Sequence, residues 1–209
     1  MRNFPVAFCE GIETIRLIKR QGLISYDISR IANIIKKDDI SIYLHCENVA
    51  AIAITLGKRM YGNNFRSIEM YEACIVHDLG KTLIPKSILN KKEKLTVEEW
   101  QAILKHPELG MEAARREGIN NQFIMDAIMY HHEKLDGSGY PCKLTSVTIP
   151  DHVKIITVSD IFEALVSKRR YKPEIAVYDA VEELLKLALG GKVDYNVVCE
   201  MVLLVKEAS

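Results

Sequence analysis

At 209 residues the chain is long enough for one substantial hydrophobic core, since domains usually run to roughly 100–200 residues, and one main domain is expected. Its 28 Lys and Arg balance 28 Asp and Glu, so there is no bulk positive field for long nucleic acid or an anionic membrane, although local basic groups can hold a small phosphorylated ligand. Cys9, Cys46, Cys74, Cys142 and Cys199 are widely spaced and form no CxxC pair, which argues against a disulfide framework or a zinc ribbon and for reduced cytosolic thiols.

From the first helix onward apolar residues recur at three- and four-residue spacing, and alternating strand patterns are scarce, so the expected fold class is all-α. Helices are predicted over residues 5–20, where Ile12, Ile15, Leu17 and Ile18 carry the period, and over 27–37. Residues 1–40 read as a short helical N-terminal extension to a main domain of residues 41–209. The amphipathic N-terminus carries acidic residues, and no apolar run reaches the roughly 20 residues that span a bilayer, so a soluble, cytoplasmic protein without membrane insertion is expected.

In the helix predicted over 41–61, His45 lies in line with Val49, Ile52, Leu56 and Met60 on the face that should be buried. A lone histidine there reads first as a core residue bonded to a carbonyl. A helix over 66–79 ends on ACIVHDLGK, where His77 and Asp78 are adjacent and Gly80 permits a tight turn that returns Lys81 to the same place. Both side chains can reach one metal cluster, or His77 can simply sit at the negative end of the helix dipole with Asp78 solvated.

Helices over 96–106 and 107–117 follow, the first opened by the capping box of Thr96 and Glu99 and the second by Pro107. His106 falls at the break between them, either aimed into a cavity or exposed at an ordinary junction. The helix over 120–132 runs through Ile124 and Ile128 into His131 and His132. Consecutive side chains stand about 100° apart on a helix, so this pair suits two neighbouring metals better than one. A solvated histidine pair is the alternative, but it leaves the turn from Asp136 to Pro141 unexplained. The segment DGSGYPCKLTSVTIP, residues 136–150, lacks helical period and is a candidate rim of a site.

Over 151–169, Asp160 falls on the stripe of Val153, Ile156 and Ala164, and a buried carboxylate needs either a metal or a basic partner. His152 reads as an exposed first-turn residue without a role. Arg169 and Lys172 follow three apart, placed either over such a cluster or at an ordinary basic helix end. Gly190 and Gly191 separate the last two predicted helices, 174–189 and 193–206.

Five of the six histidines thus fall on a buried face or at a helix break, together with two aspartates. Imidazole and carboxylate without thiolate favour iron, manganese, nickel or zinc. Two such ions about 3.5–4 Å apart suit phosphodiester hydrolysis through a bridging water, with Lys81, Arg169, Arg170 and Lys172 as phosphate-binding cations.

The segments HDLGK, KHPELG, HHEKLDGSGYP and SDIFEALVSKRRY, in this order, resemble the HD-GYP family of the HD phosphohydrolase superfamily over about residues 41–205. The resemblance implies an HD-domain helical bundle with a metal cluster in its core. It implies a metal-dependent phosphodiesterase that hydrolyses cyclic di-GMP to pGpG, and in some members on to GMP, through a metal-bridging hydroxide with iron or manganese. By position it makes His45, His77, Asp78, His106, His131, His132 and Asp160 metal ligands, with Asp78 bridging two ions. It assigns Asp78 and Lys81 to catalysis, and Lys81, Tyr140, Arg169 and Lys172 to substrate contact.

Ser41 stands where some members carry a glutamate, which favours two divalent ions over three, while HCENV and SKRRY replace the more usual HSxRV and SDRPY. Two alternatives stay open: a phosphohydrolase of another nucleotide such as cyclic GMP-AMP, and a catalytically weak cyclic-dinucleotide receptor or adaptor. A homo-oligomer or a regulatory protein partner is compatible with either.

Overall fold

The computed structural model describes residues 6–167 and 175–208, so Arg169, Arg170 and Lys172 lie outside the described residues. The helices within them are α1 (Cys9–Arg20), α2 (Tyr26–Asp38), α3 (Ile40–Tyr61), α4 (Ser67–Val76), α5 (Lys86–Leu89), α6 (Val97–Leu104), α7 (His106–Arg116), α8 (Gln122–Tyr130), α9 (Asp151–Val166), α10 (Val177–Leu189) and α11 (Tyr195–Glu207). Among the described residues there is no strand, only an isolated antiparallel bridge between Asp136 and Thr145. The all-α expectation holds.

The architecture follows from α3, whose middle is apolar on every side, so that Val49, Ile52, Ile54 and Leu56 are all buried. Its length and mean hydropathy would also suit a membrane span, yet α1, α2, α4, α9 and α11 pack around it. Ile15 and Ile18 of α1 and Ile28, Ile31 and Ile35 of α2 enter the same apolar core as α3, α4, α8 and α9. A buried carboxylate, Glu47, ties the layers further: it accepts from Tyr71 Oη at 2.7 Å and pairs with Lys19 Nζ at 2.5 Å.

Local signals set several ends. Thr96 and Glu99 form both hydrogen bonds of the capping box, and Pro107 sits in the first turn of α7. Gly191, at φ 70°, follows the end of α10. The helix expected to run to residue 79 stops at Val76, because His77 and Asp78 turn into a 3-10 segment, Leu79–Leu83. The four-residue α5 was not expected, and α8 ends at Tyr130, so His131 and His132 lie in the turn beyond it. Helix α10 starts at Val177, and the start expected at residue 174 lies outside the described residues.

His152 is half-buried rather than exposed: its ring stacks on Phe123 with centroids 3.7 Å apart, and Nε2 donates to the Phe123 carbonyl at 3.0 Å.

Candidate metal centre

Five elements deliver side chains to one point. His45 comes from the second turn of α3, and His77 and Asp78 from the end of α4. His106 opens α7, His131 and His132 follow α8, and Asp160 projects from the middle of α9. His77, Asp78, His106 and His131 have no exposed surface. All seven positions expected to ligate metal are therefore brought together.

Asp78 sits between two groups of donors. Its Oδ1 lies 3.4 Å from His106 Nε2 and 3.6 Å from His131 Nε2. Its Oδ2 lies 3.5 Å from His45 Nε2 and 3.6 Å from His77 Nε2. Asp160 closes the remaining side, with Oδ1 3.0 Å from His45 Nε2 and Oδ2 4.0 Å from His132 Nδ1. Two sets of donor atoms, Asp78 with His106, His131 and His132, and Asp78 with His45 and His77, each fit within a 4.8 Å span.

The opposite ring nitrogens explain which atoms face the cluster. Nδ1 of His77 donates to the Cys74 carbonyl at 2.6 Å, Nδ1 of His106 to Ile103 at 2.8 Å, and Nδ1 of His131 to Ala127 at 2.9 Å. With the proton on Nδ1, each Nε2 presents a lone pair inward. The Nε2 atoms of His106 and His131 then face each other at 3.1 Å, a repulsive contact that a cation relieves. His77 Nε2 and Asp78 Oδ1 are buried without a hydrogen-bond partner among the described residues, as atoms kept for a metal would be.

Burial pushes His77 down to about 4 and His106 down to about 3, and holds His132 well below the usual histidine range, so these imidazoles are neutral donors at pH 7. Burial works to raise Asp78 and Asp160, but Lys81 on the first and the His45 hydrogen bond on the second hold both well below the carboxylate range. At His45 burial works downward, while Glu163 and Asp160 carry the imidazole up to about 9. The donor set, with neutral His77, His106 and His132 beside the ionised carboxylates of Asp78 and Asp160, fits divalent metal.

Around this centre, Lys81 Nζ lies 2.5 Å from Asp78 Oδ2 and stays partly exposed. Gly80 lies directly against the backbone of His106 and Gly110, which brings the turn carrying Asp78 close to the start of α7. Tyr140 stacks its ring on His132, with centroids 4.8 Å apart, at the edge of the cluster. Arg169 and Lys172, the other two expected substrate contacts, lie outside the described residues.

Two buried glutamates went unremarked in the sequence. Glu133 accepts from the backbone of Cys142 at 2.6 Å and of Leu144 at 2.9 Å, which pins the loop carrying Tyr140. Glu163 accepts from His45 Nδ1. Each had a signal: Glu133 directly follows the histidine pair, and Glu163 stands one helical turn after Asp160.

Comparison with known proteins gives consistent results. The family described as HD domain matches residues 29–197. The cyclic di-GMP phosphodiesterase response regulator RpfG of Xanthomonas campestris pv. campestris is 37% identical over 69% of this chain and 39% of its own length. The 3'3'-cGAMP-specific phosphodiesterase 2 of Vibrio cholerae is also 37% identical, over 69% of this chain and 26% of its own length. The chain therefore spans well under half the length of these curated relatives. Among solved structures, the HD domain of the L. monocytogenes phosphodiesterase PgpH, in complex with cyclic-di-AMP, superposes with a TM-score of 0.65 at 21% identity, covering 85% of this chain and 94% of that one. At that identity the likeness speaks to the fold.

Proposed function

This chain belongs to the HD domain family, and from that premise we propose that it is a metal-dependent phosphodiesterase that hydrolyses cyclic di-GMP to the linear dinucleotide pGpG. The observation that carries the reading is Asp78, buried between two groups of imidazoles with one oxygen toward each. Two ions, iron or manganese, would be held by His45, His77, Asp78 and Asp160 on one side and by Asp78, His106, His131 and His132 on the other. Ser41, whose hydroxyl donates to Asp39, brings no carboxylate for a third. When bound, such ions supply Lewis-acid neutralisation of a phosphodiester and activate water for in-line attack.

The chain's own residues do the rest. Asp78 and Asp160 hold negative charge against the ions, and the Nδ1 hydrogen bonds keep the imidazoles aimed. Lys81 Nζ reaches the cluster from its open side, where it would bind a phosphoryl oxygen and protonate the leaving oxygen. Tyr140, with Arg169 and Lys172, would hold the dinucleotide beside the metals.

We place the activity in the cytoplasm, consistent with five free cysteines, and take residues 1–40 as an extension to a catalytic unit of residues 41–209. A regulatory partner or self-association fits a chain matched to only part of its longer relatives.

A second reading, cyclic GMP-AMP as substrate, is favoured by the Vibrio cholerae relative named for that specificity. Metal-loaded protein assayed against cyclic di-GMP, cyclic GMP-AMP and cyclic di-AMP tests both. Linear pGpG from cyclic di-GMP as the fastest product supports the first reading. Binding of all three without product would replace it with a receptor.

A further inference from the structure

We propose that Glu163 is the positioning residue for His45, and that it governs the metal position on the His45 side without governing the one on the His106 side. The proposal rests on the cluster being a two-metal centre.

The reason lies in where each histidine sits. His77, His106 and His131 come at or just after helix ends, and their Nδ1 atoms donate to carbonyls in the last turns of α4, α6 and α8. A helix leaves its last four carbonyls without intrahelical partners, so these histidines are oriented by backbone that is available anyway. His45 is the sixth residue of α3, and the carbonyls one turn before it belong to the helix ladder. Its Nδ1 must find an acceptor outside its own helix.

Glu163 is that acceptor. Its Oε2 lies 2.5 Å from His45 Nδ1, and the side chain is almost fully buried. Two donors hold the carboxylate by its other oxygen: Asn48 Nδ2 at 3.1 Å and Ser167 Oγ at 2.7 Å. Oε2 is thereby turned toward the imidazole, and His45 Nε2 toward Asp78 and Asp160. Helix α9 thus supplies both Asp160, beside the metal position, and, one turn later, the group that aims the histidine opposite it.

A carboxylate behind a ligating imidazole raises its basicity as well as fixing the ring, and losing such a partner costs about 10–100-fold in metal affinity. Glu163→Gln keeps the shape and removes the charge. Manganese would be titrated into metal-free full-length wild type and variant against a competing chelator, with elemental analysis of the isolated proteins.

The expected result is two ions in the wild type, and in Glu163→Gln one position unchanged and the other weakened about 10–100-fold. Ser167→Ala, which removes only one bond to the carboxylate, should weaken the same position less, and it decides the matter if Glu163→Gln does not fold. Equal weakening of both positions would mean a merely structural role and overturn the proposal, as would no change at either. A wild type that binds no metal would sink the two-metal reading itself, and this role with it.

Discussion

Replacing Gly80 by alanine should damage the metal centre without altering any ligand. A Cβ at residue 80 would stand 1.8 Å from the His106 carbonyl oxygen and 2.6 Å from the Gly110 nitrogen. Real contacts of this kind do not fall below 3.0 Å, so the 3-10 turn and the start of α7 must part by at least about 1.2 Å. Both obstacles are backbone, so no side chain can swing aside. His106 Nε2 is only 3.4 Å from Asp78 Oδ1, and Asp78 is two residues from Gly80, so the movement opens the pair at the heart of the cluster.

Overpacking of this kind costs about 1–3 kcal/mol. In a chain of this length each kcal/mol lowers the melting temperature by about 2–4 °C. Misplacing a catalytic group by about 1 Å costs on the order of 100-fold in rate. Thermal unfolding and cyclic di-GMP turnover of metal-loaded Gly80→Ala would be compared with wild type. Wild-type melting together with wild-type turnover would refute the claim that this backbone contact sets the site.

Asp78→Ala should abolish turnover and release metal from both groups while circular dichroism stays helical; full activity in a metal-loaded sample would contradict the bridging role. Lys81→Ala should keep its metal yet turn over about 100-fold more slowly, the usual cost of removing a group that stabilises transition-state charge. Glu133→Gln loses charged acceptance from two backbone donors and should destabilise the protein by about 1–3 kcal/mol. Hydrogen exchange should rise first in residues 136–150, and uniform exchange across the chain would argue against the loop-pinning role.

What was legible in the sequence was the part written in local periodicity. Val49, Ile52 and Leu56 mark α3 because one face of a helix repeats every three to four residues, and His45 was found by lying on that stripe. Thr96 and Glu99 announce a helix start through bonds only three residues apart. Helix α5 has four residues, about one turn, so no period exists to detect.

Contacts between distant segments were the harder part. His152 looked exposed because its cover, Phe123, lies in a different helix. Glu133 and Glu163 drew no reading, since glutamate is rarely buried unless paired, and their partners become visible only once the loop and α3 are folded against them. Gly80 was read as permitting a turn, whereas its sharper demand is the approach of His106.

Elemental analysis of anaerobically purified protein, coupled to cyclic di-GMP turnover with iron or manganese restored, tests whether the chain is a two-metal phosphodiesterase. Two ions per chain are expected, with release of pGpG or GMP that stops when the metal is removed. A folded protein that takes up no metal would contradict that reading.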